Sequence, residues 1–113
     1  MDMDISELAA THLKLGLKGR LDTAGVDRIE TRLTAATVPR GLNVIVDLSQ
    51  VDFIGSMGVR MLISVARALS RKNVRLVLFA AQEGVSEVFD SVSLGDIIAI
   101  RASEGDAIAA LGA

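Results

Sequence analysis

One stretch gathers most of the side chains able to react or to recognise a partner: Asp47-Leu-Ser-Gln-Val-Asp-Phe-Ile-Gly-Ser-Met-Gly-Val59. The apolar run Val44-Ile45-Val46 with Leu48 leads into it, and a helical pattern follows it. A buried strand is expected to end near Asp47, a turn to occupy Ser49 to Gly55, and a helix to begin near Ser56. Ser56 is then the expected N-cap, its hydroxyl facing free backbone N–H groups and the positive end of the helix dipole. Gly55 and Gly58 flank it, so a partner's backbone can come close. A serine so placed is exposed, preorganised and open to a kinase. Such a serine commonly does no more than cap its helix. Here small residues crowd around it, and Arg60, Ser64, Arg67 and Arg71 form a stripe on the helix behind it.

A phosphate on Ser56 adds roughly −1.5 to −2 charges. The chain carries 12 basic and 14 acidic residues, a net charge of −2, so one modification about doubles its negative charge at one spot. The helix N-terminus favours that anion within the protein, while a surface docked there meets a bulky charge. That is sufficient for a binary switch.

Other chemistries find little to work with. The chain has no cysteine, which removes disulfides, thiolate catalysis and zinc–sulfur sites. His12 is the only histidine; it falls on the polar side of its strand pattern and is expected to be exposed and without a partner. There is no GxxxxGK[ST] phosphate loop and no His–carboxylate–nucleophile set, so neither a cofactor nor catalysis by the chain itself is expected. Gly55-Ser-Met-Gly58 has the spacing of a KH-domain GxxG, but flanking lysines are missing. An acidic balance, with a pI of about 5.3, argues against direct nucleic-acid binding. The opening Met1-Asp2-Met3-Asp4 is acidic where a secretory leader is basic. No apolar run reaches the roughly 18 residues needed to cross a bilayer. A cytoplasmic setting without membrane insertion is the expectation.

The elements that position Ser56 follow from periodicity. Thr11, Leu13, Leu15 and Leu17 alternate with His12, Lys14, Gly16 and Lys18, a strand with one wet face. Ile5 and Leu8 belong to a weaker partner strand, and Gly19-Arg20-Leu21-Asp22 interrupts the pattern. Asp22 or Thr23 caps a helix carrying Val26, Ile29, Leu33 and Ala36, which Pro39 and Gly41 end. Met61, Leu62, Val65 and Leu69 form the apolar stripe of the next helix. Val74 to Phe79 reads as a buried strand, Val85, Val88 and Phe89 as a short helix, and Ile97 to Ile100 as a last strand. Ser103 with Asp106 resembles a capping box opening a terminal helix with Ile108 and Leu111. Half of the 113 residues are hydrophobic and only three, Phe53, Phe79 and Phe89, are aromatic, so the core must be aliphatic. Alternating strands and helices imply an α/β fold of βαβ units, with the sheet fully covered on one side only. One unit spanning 1–113 is expected.

These residues resemble the STAS domain family of bacterial anti-sigma factor antagonists and sulfate-transporter tails. The resemblance runs through Leu17-Lys-Gly-Arg-Leu-Asp22, Val44-Ile-Val-Asp-Leu-Ser-Gln-Val-Asp-Phe-Ile54, Gly55-Ser-Met-Gly-Val59 and the Val74–Phe79 strand. It implies a mixed sheet of four to five strands with about four helices, mainly on one face. The family's usual text at the central site is Asp-Ser-Ser-Gly or Asp-Ser-Thr-Gly, whose first Ser or Thr accepts phosphate. By position, Ser56 is the implied acceptor and Gly58 the family glycine. Gly55 stands where the family usually has Asp, and Met57 where it has Ser or Thr, so a docking surface is better supported than phosphorylation. The resemblance implies partner switching: binding of an anti-sigma factor serine kinase of the GHKL type, release on phosphorylation, and resetting by a serine phosphatase. Asp22, Asp52, Gly55, Ser56, Met57, Gly58 and Arg60 are the implied partner contacts; for Asp22, capping is the simpler role. Accessory subunits of lipid-transport ATPase complexes are the alternative the family offers.

Overall fold

Leu13, Leu15 and Leu17 fall on one side of an extended segment and are almost completely buried, at 0%, 0% and 2% exposure. They sit on the second strand of a five-stranded sheet. In the computed structural model, which describes residues 1–112, the strands are β1 (Asp2–Ala9), β2 (His12–Leu21), β3 (Asn43–Ile54), β4 (Leu76–Phe79) and β5 (Ala99–Arg101). Their spatial order follows the sequence, β1-β2-β3-β4-β5. β1 runs antiparallel to β2, and every later neighbour is parallel. Parallel neighbours need crossovers, supplied here by α1 (Thr23–Thr37), α2 (Ser56–Ser70) and α3 (Glu83–Ser91). A short α4 (Glu104–Ala110) follows β5.

The helices divide unequally between the faces. Val26, Ile29 and Leu33 of α1, Met61, Leu62, Val65 and Leu69 of α2, and Val85 and Phe89 of α3 share one core with Leu13, Leu15, Leu17, Val44, Val46, Leu48 and Leu78 of the sheet. On the other face Ile45, Val77 and Phe79 form a smaller cluster with Ala107 and Leu111 at the terminal helix, against which the partly buried Ile108 and Ala110 also pack. Lys14 pins that helix by an ion pair to Glu104, and the Arg75 guanidinium donates to the Ala110 carbonyl at 2.7 Å. The Glu104 hydrogen bond raises the pKa of Lys14, with Asp47 and Asp4 adding to it. The expected architecture is therefore present, as are the Ser103 cap, whose hydroxyl accepts from the Asp106 amide, and the stop at Pro39 and Gly41.

Four local expectations do not hold. The stretch Ser49–Gly55 is not a turn: β3 continues through it to Ile54, and Asp47 lies within the strand. Its extension is possible because Gly19-Arg20-Leu21 does not end β2 either. Lys18, Gly19, Arg20 and Leu21 pair with Gln50, Val51, Phe53 and Ile54, across register shifts after Gly16 and Gly19. The bulges absorb an out-of-step pattern that reads as a break in the sequence, with Gly19 at φ +118° supplying the irregular backbone. His12 is also not exposed. It is 8% accessible, with Thr11 Oγ1 and Asn43 Nδ2 each 3.4 Å from Nδ1, because parallel pairing sets Asn43 beside it. The strands over Val74–Phe79 and Ile97–Ile100 are shorter than expected, at Leu76–Phe79 and Ala99–Arg101.

Asp22, rather than Thr23, caps α1. The Gly25 amide donates to its Oδ1 at 2.8 Å, and this holds the carboxyl below its usual pKa, with Arg20 adding to the effect. The folded state therefore binds the proton less readily than the unfolded chain. The contribution is complete above the unfolded pKa of about 4 and is lost as pH falls through the folded value. Asp22→Asn keeps a capping oxygen but not the charge. In thermal denaturation the stability gap between wild type and Asp22→Asn is expected to narrow as pH drops below about 4. A gap independent of pH contradicts the assignment.

Candidate functional site

The two strand ends and the start of α2 meet at Leu21. Its carbonyl accepts the Gly55 amide at 3.0 Å, closing β3 onto α2 immediately after the last strand pair. Gly55, in extended backbone at φ −107°, is the N-cap residue, and its carbonyl accepts the Val59 amide at 3.1 Å. Ser56 is therefore the first helical residue and not the cap, and no side chain caps α2. The expectation was one position late because serine, with a hydroxyl able to cap, is by residue type a stronger N-cap candidate than the glycine before it. The chemical consequence is small. Ser56 remains exposed at the positive end of a 15-residue helix whose first turn holds no acidic residue.

The two glycines beside Ser56 differ in what they do. A Cβ on Gly58 would lie 2.8 Å from Ile54 Cγ1 and 2.9 Å from the Leu21 carbonyl oxygen, so this residue lets α2 sit down on the sheet. It is buried and contributes to the site by seating the helix. A Cβ on Gly55 would meet nothing closer than Phe53 Cε2 at 3.5 Å, an ordinary contact. Packing therefore does not require glycine at 55.

Around Ser56 the exposed surface is partly apolar. Met57 is 36% and Phe53 39% exposed, high for large hydrophobic side chains. The Arg20 guanidinium lies over the Phe53 ring at 4.3 Å and its Nε is 3.4 Å from Asp22 Oδ2. This arrangement packs Arg20 on Phe53 and links it to the Asp22 cap. Neither Phe53 nor Arg20 is evident as a site residue in the sequence. Alternation alone would place Phe53 on the side of the buried Val51; the register shift between Gly19 and Arg20 turns it outward, so the sequence gives no signal for it. Asp52 is exposed on β3 and takes part in no side-chain hydrogen bond among the described residues.

Behind Ser56, α2 carries an open trough of about 550 Å³ lined by Ser56, Val59, Arg60, Ile63, Ser64, Arg67 and Arg71. The stripe expected from three- and four-residue steps is thus one continuous exposed face, with Ser56 at one end. The structure brings together Gly55, Ser56, Met57 and Arg60; Asp22 joins them through Arg20 and Phe53.

If Gly58 seats α2, adding one methyl should misplace it. Gly58→Ala is expected to destabilise by about 1–3 kcal/mol in urea denaturation through overpacking. Gly84→Ala in α3, where an added Cβ meets nothing within 4 Å, should instead stabilise by up to about 1 kcal/mol through helix propensity. Equal effects at both positions contradict the packing argument.

Comparison with known proteins points one way. The STAS domain model matches residues 4–107. The anti-sigma-B factor antagonist of Listeria monocytogenes is 24% identical over 106 residues, covering 94% of this chain and 93% of its own. BtrV of Bordetella bronchiseptica, assigned as an anti-sigma factor antagonist, is 31% identical over 94 residues, covering 83% of this chain and 81% of its own. Among solved structures, the anti-sigma factor antagonist SpoIIAA in its unphosphorylated form superposes with a TM-score of 0.79 at 23% identity, over 95% of this chain and 93% of that one. Its phosphorylated form superposes with a TM-score of 0.70 at 22% identity, over 95% and 96%.

Proposed function

Because the chain belongs to the STAS domain family, we propose that it is an anti-sigma factor antagonist, a single unit over 1–113, that binds an anti-sigma factor serine kinase while Ser56 is unmodified. The observation that carries this reading is Ser56 itself: exposed, first in α2, and fixed by the Gly55–Leu21 hydrogen bond within a partly apolar surface. Relatives covering most of the chain are named antagonists of anti-sigma factors, a regulatory binding role, and SpoIIAA is known in both phosphorylation states.

In this reading the chain is a substrate and not a catalyst. A GHKL-type kinase transfers the γ-phosphoryl of ATP to Ser56 Oγ. An O–P bond forms at the serine, the bond to ADP breaks, and the hydroxyl proton leaves. Met57 and Phe53 supply the apolar anchor of the docking surface, while Asp22, Asp52, Gly55 and Arg60 supply its polar rim. Binding desolvates the serine, so a dianion there costs a few kcal/mol and lowers affinity by about a hundredfold or more. A serine phosphatase restores the binding form. In this reading the chain acts in the cytoplasm, beside the anti-sigma factor it binds.

Gly55 and Met57 favour a second reading, an accessory subunit of a lipid-transport ATPase, since packing does not require glycine at 55 and the family's usual Asp and Ser/Thr are absent there. Co-purification separates the two: a soluble kinase supports the switch, a membrane ATPase the subunit.

Incubation with the kinase and ATP, followed by a phosphate-affinity gel and site mapping, is expected to place one phosphate on Ser56. Ser56→Asp should lower kinase binding by about a hundredfold. Ser56→Ala should bind like wild type and resist release by ATP. Phosphate mapped elsewhere, or kinase binding unchanged in Ser56→Asp, overturns the proposal.

A further inference from the structure

α2 contains no acidic residue at all, in a chain with more acids than bases. Arg60, Arg67 and Arg71 enter none of the ion pairs among the described residues, which join Lys14 to Glu104, Arg20 to Asp22 and Arg40 to Glu7. A face that serves only solubility usually interleaves acids and bases at four-residue steps, since each such pair stabilises the helix. This face leaves its positive charges unpaired. Arg67 and Arg71 suit the negative end of the helix dipole, but Arg60 stands near the positive end and gains nothing there.

The arginines also have a geometry. Positions 60, 64, 67 and 71 share one side of α2 over about 16 Å, three helical turns at 1.5 Å per residue. Val59 and Ile63 form an apolar floor between the charged walls of the 550 Å³ trough. That combination, an apolar strip with basic sides of helical length, complements an amphipathic helix bearing carboxylates at matching steps. It suits a nucleic-acid strand poorly, because the trough holds no aromatic ring for a base to stack on.

We propose that the arginine face of α2 seats an acidic amphipathic helix of the partner, held by carboxylates on Arg60, Arg67 and Arg71 over the Val59–Ile63 floor. The identity of that partner rests on the reading of the chain as an anti-sigma factor antagonist. Ser56 ends the same trough, so phosphate there lies one turn from Arg60, the i,i+4 spacing at which opposite charges pair. Phosphorylation then acts twice: it repels the incoming carboxylates and occupies the first arginine they would meet.

The probe is a synthetic amphipathic peptide of about 18 residues, long enough to form a marginal helix, with Glu on one face beside Leu. Three controls accompany it: the same peptide with Lys for Glu, a scrambled sequence, and oligothymidylate. Titrated into the 15N-labelled full chain, the acidic peptide is expected to shift the amide signals of residues 59–71 saturably, and less so as salt rises. Arg67→Glu with Arg71→Glu, both at exposed positions, should weaken it by about tenfold or more and create binding of the Lys peptide. Absence of saturable shifts on α2, indifference to the reversals, or equal binding of the scrambled peptide or oligothymidylate overturns the proposal. The measurement uses neither kinase nor phosphate, so a failed groove and a failed Ser56 switch are read separately.

Discussion

The Leu21 carbonyl oxygen accepts the Gly55 amide at 3.0 Å and lies 2.9 Å from where a side chain on Gly58 would begin. One residue earlier, the Arg20 carbonyl lies 2.0 Å from where a side chain on Gly25 would begin. Two consecutive carbonyls at the end of β2 thus receive the first turns of α1 and α2, and each contact is open only to glycine. The junction fixes the direction in which α2 leaves the sheet. It thereby fixes where Ser56 is presented and which way the arginine face looks. Without this close approach the helix would ride higher, and Ile54, Val59 and Leu62 would lose contact with the core.

What could be read from residue order alone tracks how local the causes are. The helix α1 was legible because Val26, Ile29 and Leu33 mark one face and Asp22 satisfies the first-turn amides from three residues away. Leu13, Leu15 and Leu17 showed a half-buried strand for the same reason. The far half of β3 was not legible. Its polar Ser49, Gln50 and Asp52 resemble a turn, and only the bulged end of β2 makes them a strand. Likewise, the strand partner of the buried His12 is Asn43, a neighbour 31 residues away.

At the site the same division holds. Ser56 and the arginine stripe were visible because exposure and helical period are properties of one segment. Gly55 as cap was hidden behind Ser56, whose hydroxyl makes it the stronger candidate by residue type. The stack of Arg20 on Phe53 was hidden too, because it joins two strands across a shifted register. Gly58 is legible only as part of a family pattern; the physical reason for it, contact with Leu21 and Ile54, belongs to tertiary packing.

The sheet also partitions stability. Its two hydrophobic clusters lie on opposite faces, and the smaller one is closed by a seven-residue helix fastened through Lys14 and Arg75. A helix that short has little cohesion of its own. It can peel away as a local opening, baring Ile45, Val77 and Phe79 while the larger cluster keeps its shape. The molecule therefore keeps a second apolar surface behind the sheet, on the face opposite the larger cluster, that only this short helix covers.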